Sequence, residues 1–264
     1  MTCRCLILLL AAVPIIAHTS DLAREKRLAA EIEDSIVFGD PVYLEAGGAS
    51  FLSIFTEAEE DPARGAVIVL HGRGFHPDWA QVAGPLRSGL AERGWTTLSI
   101  QLPVLEKEAK YYDYVPVFPD AFPRIDAAIQ RARELDAGPV ILAAHSCGAH
   151  MAMAYVRARG DAAFDGFIGI GMGATDYQQP MSDPFPLAEM RVPVLDIFGS
   201  EEYPAVKRMA PERLEALRTA GNPLSRQRVI DGANHYFDGQ SVTDTLIEAV
   251  AEWLEEAFPM GGDV

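Results

Sequence analysis

Six short apolar runs, separated by stretches of helical character, constrain the fold of this chain more than any other feature. They are "AVIVL" (66–70), "TTLSI" (96–100), "PVILAA" (139–144), "GFIGIG" (166–171), "VPVLDIF" (192–198) and "RQRVI" (226–230). Near-continuous apolar, β-branched runs are what a parallel sheet covered on both faces requires, because neither face of such a strand reaches water. Between the runs, Ile125, Ile129 and Ala132 recur at i, i+4, i+7, and Leu246, Val250, Trp253 and Ala257 do likewise near the C-terminus. Helix starts are expected at Pro123 and Pro211, where a missing N–H costs nothing. Two earlier segments, "PVYLE" and "ASFLSIF", meet across Gly47 and Gly48 and predict an antiparallel hairpin at one edge. No internal repeat, low-complexity tract or linker interrupts the pattern, and 264 residues with 49% hydrophobic content can bury one full core. The expected fold is a single α/β domain over residues 21–264, doubly wound, with a mostly parallel sheet of about eight strands.

The first twenty residues read differently. "MTCRCLILLLAAVPIIAHTS" has one positive charge, Arg4, then an apolar run from Leu6 to Ala17, then small and polar residues. At about 12 residues the run is short for a bilayer-spanning helix and suits the core of a signal peptide. Residues 1–20 are therefore expected to direct export and be removed, leaving a periplasmic or secreted protein without a stable membrane span. A buried N-terminal helix or a retained anchor are the alternatives. Ala17 and Thr19 are the small residues near the cut. Cys3 and Cys5 would leave with this segment, and the one remaining cysteine, Cys147, cannot form an internal disulfide. The formal charge of −16 argues against nucleic acid or an anionic membrane as partner.

Within the α/β pattern one junction invites chemistry. "AAHSCGAH" (143–150) places Ser146 between a buried strand and a helix, with Ala144 two residues before it and Gly148 two after. A turn tight enough to expose a nucleophile there strains its backbone and crowds those flanking positions, so they must be very small. It also aims amides of the helix start at the space above the serine, which suits a developing oxyanion.

A nucleophilic serine needs a base, and the base needs an orienting acid. "DGANHYFDG" follows the last strand and puts His235 in a turn-rich loop at the face where Ser146 should emerge. The acid should lie between them. "VPVLDIFGSEEYP" offers Glu202, Glu201 and Asp196. Asp196 lies inside the strand, where a buried carboxylate would need partners. Glu202, three residues after Gly199, can reach across the strand end and is favoured, with Glu201 and Asp176 (in "GATDY") as substitutes. A second oxyanion donor should come from "HGRGF" (71–75), where His71 and Gly72 turn the chain so that the Arg73 N–H can point toward Ser146. Phe75, Trp79, Tyr111, Tyr112 and Tyr114 can wall an apolar pocket, with Phe75, Trp79 and Tyr112 taken as the pocket residues. Trp79 has packing of its helix on the sheet as an equal alternative.

In this order and spacing, "VIVLHGRG", "ILAAHSCGAHMA", "VPVLDIFGSEE" and "GANHYF" resemble the α/β-hydrolase superfamily over roughly residues 35 to 258. Within it the chain is similar to a group of exported proteobacterial hydrolase-like proteins of unassigned activity. The resemblance implies a Ser–acid–His triad at Ser146, Glu202 and His235, oxyanion contacts from Arg73 and Cys147, no cofactor, and a small-molecule ester as substrate. The departures are Ala144 for glycine and glutamate for the commoner aspartate.

Competing chemistries fit less well. "GIGMG" (169–173) lacks the spacing of a dinucleotide loop. The pairs His71/His76 and His145/His150 have no cysteine or carboxylate cluster to complete a metal set, so no metal is expected. The rival of a different class is a catalytically silent hydrolase fold used for binding in the periplasm. A last expectation concerns access. The interval 174–191 holds Pro180, Pro184 and Pro186, which favours an extended, stiff loop over a large cap domain. Activation at an oil–water interface is therefore not expected.

Overall fold

The fold comes from a computed structural model, and the residues described are 19–135, 138–176 and 179–260. The expected signal segment lies outside them apart from Thr19 and Ser20. Eight strands form one sheet in the order β1-β2-β4-β3-β5-β6-β7-β8. β1 (Asp40–Ala46) and β2 (Ala49–Thr56) make the expected edge hairpin across Gly47 and Gly48, and β2 also runs antiparallel to β4 (Thr96–Ile100). All other pairings are parallel, through β3 (Ala66–Leu70), β5 (Val140–His145), β6 (Gly166–Ile170), β7 (Val194–Gly199) and β8 (Arg226–Ile230).

Alternation along the central strands sends side chains into two cores. Ile68, Leu142 and Phe167 face one layer, with Ile125 and Ile129 of α4 (Phe122–Leu135) and most of α5 (Cys147–Arg159). Val67, Val69, Ile141, Ile168 and Ile197 face the other, with Leu86 and Leu90 of α2 (Ala83–Ala91) and Leu246, Val250 and Trp253 of α7 (Gln240–Ala257). Helices on both faces explain why the strands are apolar throughout. The chain leaves β3 for β4 on one side and returns to β5 on the other. The C-terminal ends of β3 and β5 therefore flank the point where the strand order reverses, the usual crevice of such sheets.

Two details differ from expectation. α6 (Pro204–Ala220) begins at Pro204, and Pro211 lies inside it rather than at its start. The ring removes an intrahelical donor, and side chains serve the nearby carbonyls: Arg213 Nη1 donates to Val206 O at 3.0 Å and Gln227 Nε2 to Ala210 O at 2.7 Å. The strands containing 139–144 and 192–198 also begin later, at Val140 and Val194. Between β6 and β7 the described residues hold only one short helical turn, Leu187–Glu189, so no large cap stands there. The 106–122 segment forms α3 (Tyr111–Tyr114) and a tight turn of helix, Val115–Ala121. No helix among the described residues is long and apolar enough to cross a membrane.

The N-terminal helix α1 (Leu22–Ile32) packs Ala29 and Ile32 on Leu52 of β2. It is also tied to α4 by a buried ion pair: Arg124 Nη1 lies 2.9 Å from Glu25 Oε2, and Nη2 lies 3.1 Å from Oε1. Breaking a buried pair from one side strands the other charge, at about 3–5 kcal/mol. Arg124→Met should lower the urea midpoint strongly, and adding Glu25→Leu should recover a substantial part of the loss. Equal midpoints for the single and double variants would show that the pair is not coupled.

Candidate active site

The parallel ladder does not stop at the strand ends, and that continuation assembles the site. Ser146 N donates to Ile170 O at 2.9 Å, Gly171 N to Ile197 O at 2.9 Å, Ser200 N to Ile230 O at 2.9 Å and Glu201 N to Ala233 O at 2.9 Å. The loops after β5, β6, β7 and β8 are thus held in register like further rungs of the sheet.

Ser146 occupies the turn between β5 and α5 at φ 54°, ψ −117°, a conformation strained for a residue with a Cβ. Gly148 shows what the turn demands: a Cβ there would lie 2.5 Å from His71 O and 2.7 Å from Leu70 O. Any side chain would push α5 off the end of β3. A second close approach sets the acid. A Cβ on Gly199 would stand 1.9 Å from Ala233 O, so glycine alone lets the loop after β7 meet the loop after β8.

The result is a hydrogen-bonded chain of hydroxyl, imidazole and carboxylate. His235 Nε2 lies 2.8 Å from Ser146 Oγ, and His235 Nδ1 lies 2.6 Å from Glu202 Oε1. A carboxylate accepts only, so Nδ1 carries the proton and Nε2 accepts from the serine hydroxyl. All three residues are buried. Glu202 Oε1 also accepts from Tyr203 N at 2.8 Å, and the His235 ring is stacked on Tyr203 with centroids 4.3 Å apart.

A family model described as the alpha/beta hydrolase family matches residues 67–258, well over half of the chain. The chain belongs to the alpha/beta hydrolase family. A second model, described as a protein of unknown function (DUF3530), matches residues 12–114. No curated protein matches. Among solved structures, the chain is similar to an alpha-beta serine hydrolase homologue from Coxiella burnetii, with 16% identity, TM-score 0.60, and 82% of this chain and 98% of that one covered. It is similar to a member of the a/b serine hydrolases without a lid from Xanthomonas campestris, with 16% identity, TM-score 0.63, and 86% and 98% covered. It is also similar to a dienelactone hydrolase from Anabaena variabilis, with 19% identity, TM-score 0.66, and 83% and 98% covered. At such identities the likeness carries the fold alone.

In this alpha/beta hydrolase the other candidate acids are occupied elsewhere. Asp176 holds Arg73 Nη1 at 3.1 and 3.3 Å and accepts from Tyr111 N. Asp196 is buried against Arg213 Nε at 2.8 Å and Gln227 Nε2 at 2.7 Å. Glu201 has an exposed side chain. The backbone amides of Arg73 and Cys147 donate to no group among the described residues. Burial pushes the Cys147 thiol up to about 12, so the thiol stays protonated beside the serine.

The cleft over Ser146 has a volume of about 70 Å³, and its walls include Arg73, Phe75, Tyr111, Thr175, Tyr203 and Tyr236. Of the five aromatic residues named from the sequence, Phe75 and Tyr111 line it, so of the three taken as pocket residues Phe75 alone is placed there. Trp79 stacks behind Phe75, centroids 3.8 Å apart and planes 5° apart, and packs on the sheet layer shared with α2 and α7. Tyr112 is exposed, its hydroxyl donating to Pro180 O at 2.9 Å. Its neighbour Tyr111 faces inward instead. The signal was present, since Tyr111, Tyr114 and Phe118 recur at helical spacing and are all buried. Tyr203 and Tyr236 were missed because each is simply adjacent in sequence to a site residue.

Three further histidines fasten the loops and are held neutral. His71 Nδ1 donates to Gly72 O at 2.8 Å while Nε2 accepts from Leu102 N at 2.9 Å. His145 Nε2 donates to His235 O at 2.9 Å, and His150 Nε2 donates to Ala174 O at 3.1 Å. Burial pushes His71 and His145 down to about 3 and His150 down to about 4. The unfolded chain binds protons near pH 6.5 at these groups, so their contribution is complete above that pH. It is lost on acidification toward pH 3–4, by about 1.4 kcal/mol per pH unit for each histidine. The urea midpoint should fall between pH 6.5 and 5, and His150→Gln, which keeps a donor for Ala174, should flatten the fall by about one proton's worth. A profile that is flat for the wild type, or equally steep for the variant, would contradict this assignment.

Proposed function

We propose that this protein is a serine hydrolase that cleaves small, soluble carboxylic esters through an acyl-enzyme. The observation that carries the reading is the unbroken chain Ser146 Oγ–His235 Nε2–Nδ1–Glu202 Oε1, at 2.8 and 2.6 Å. Ser146 attacks the ester carbonyl as its proton passes to His235 Nε2, and Glu202 stabilises the imidazolium that forms. Amides of Arg73 and Cys147 receive the oxyanion, at the strand end and helix start where unpaired N–H groups are expected. His235 then gives its proton to the departing alcohol, takes one from a water whose oxygen attacks the acyl carbonyl, and returns it to Ser146 Oγ as the bond from that oxygen to the acid breaks. The narrow cleft, about 70 Å³, favours short chains over long ones. Export, on the strength of the apolar run Leu6 to Ala17, completes the proposal.

Ser146→Ala should lower turnover of short aryl esters by about 10⁴-fold or more and abolish labelling by a fluorophosphonate, with the urea midpoint preserved. Near-wild-type turnover in that variant would remove the serine from the reaction. Absence of both turnover and labelling in the wild type would favour a binding protein.

The acid is tested separately. Glu202→Gln should depress kcat by about 10²–10⁴-fold, because a neutral amide supports neither the Nδ1–H tautomer nor the imidazolium. Glu201→Gln and Asp176→Asn should each stay within about tenfold of wild type. The reverse ranking, with one substrate at one pH, would move the role to another carboxylate.

A further inference from the structure

Beyond the cleft over Ser146 lies a second cavity of about 200 Å³ between α5, the Val115–Ala121 turn and the loop before β7. Phe118, Met153, Ala154 and Phe185 give it an apolar lining. Its histidine, His150, commits its Nε2–H to Ala174 O, and its ring packs on Phe118 and Phe185 with centroids 6.1 and 5.1 Å away. The charged members of the lining, Arg157 and Asp183, are exposed and belong to its rim.

Among the described residues, one side chain lines both spaces. Tyr111 walls the cleft on one side and the second cavity on the other. It is fixed rather than loose. Its hydroxyl lies 3.2 Å from Ser182 Oγ and accepts from Ser182 N at 3.1 Å, its amide donates to Asp176, and its ring lies 4.9 Å from that of His150. At about 30 Å³ per heavy-atom group, near a water's share of liquid volume, the cleft admits roughly two such groups and the second cavity roughly six or seven.

Resting on the reading of Ser146 as an ester-cleaving nucleophile, we propose that Tyr111 sets the chain-length specificity of the site, and that the cavity behind it is a subsite for a linear apolar chain of about six carbons. With the partition in place the ester is confined to short chains. With it removed the two spaces join, and a longer chain can run from Ser146 between Phe118, Met153 and Phe185.

The test compares wild type, Tyr111→Ala, Tyr111→Phe and Tyr111→Ala with Ala154→Phe on two series: p-nitrophenyl esters of acetate to octanoate, and acetates of ethanol to octanol. In at least one series, Tyr111→Ala should raise the ratio of kcat/KM for the eight-carbon over the two-carbon substrate by tenfold or more. Tyr111→Phe, which keeps the ring, should retain the wild-type ratio, and Ala154→Phe should cancel the gain by filling the cavity. Unchanged ratios in both series would overturn the proposal. Binding of octanoate, measured by calorimetry to Ser146→Ala with and without Tyr111→Ala, needs no turnover. It should tighten at least tenfold when the partition is removed, and equal affinities would overturn the subsite. A wild type inert toward every ester would overturn the proposed hydrolase activity on its own, while the octanoate comparison would still decide whether the cavity takes a chain.

Discussion

The closeness of α5 to the end of β3 is the constraint on which the rest of this site depends. With hydrogen at its Cα, Gly148 lies against the carbonyls of Leu70 and His71, where a methyl would need to occupy space 2.5 Å from an oxygen. That approach forces the turn at Ser146 to be sharp and its φ positive, at a cost of about 1–3 kcal/mol in backbone strain. The strain persists because the surroundings over-determine it: Ser146 N is held by Ile170 O, and Ala144 is wedged without exposure between β3 and β6. The serine hydroxyl is thereby presented at the rim of the sheet rather than within it.

A second theme is electrostatic. His71, His145 and His150 all lie within the shell of the site, and each spends an N–H on a backbone carbonyl while burial keeps its ring uncharged. They serve as neutral fasteners, joining the loop after β3 to that after β4, the elbow to the His235 loop, and α5 to the loop after β6. Around a buried Glu202, permanent positive charge from three more imidazolium rings would compete for the carboxylate that orients His235. Among the described residues, His235 is the one histidine that lines the cleft over Ser146.

Arg73, Asp176 and Tyr111 form a comparable junction in the roof. Asp176 gathers the loop after β3 and the start of α3 onto the loop after β6 through the Arg73 guanidinium and the Tyr111 amide. No cap domain is needed to narrow the entrance, because three loops are drawn together by one carboxylate. The same tie fixes Tyr111 between two cavities.

Much of this was legible in the chain. The apolar runs, their β-branched content and the helical spacing between them are local signals. A sheet covered on both faces is the arrangement that satisfies them, so the strands, the edge hairpin and the absence of a large cap follow from the sequence. Ser146 and Gly148 were legible for the same reason, since a strand, a small-residue turn and a helix are contiguous. Tertiary structure decided which carboxylate meets His235. The place of Glu202 three residues after Gly199 favours it in the sequence over Glu201, Asp176 and Asp196, but the contact of Gly199 with Ala233 O is what brings it across, while Arg73 and Arg213 draw Asp176 and Asp196 elsewhere. It likewise decided that Tyr111 rather than Tyr112 enters the site, and that Pro211 sits within a helix whose nearby carbonyls are served by side chains from Arg213 and Gln227. Which loops touch depends on contacts between residues tens of positions apart, and a local pattern carries no record of those distances.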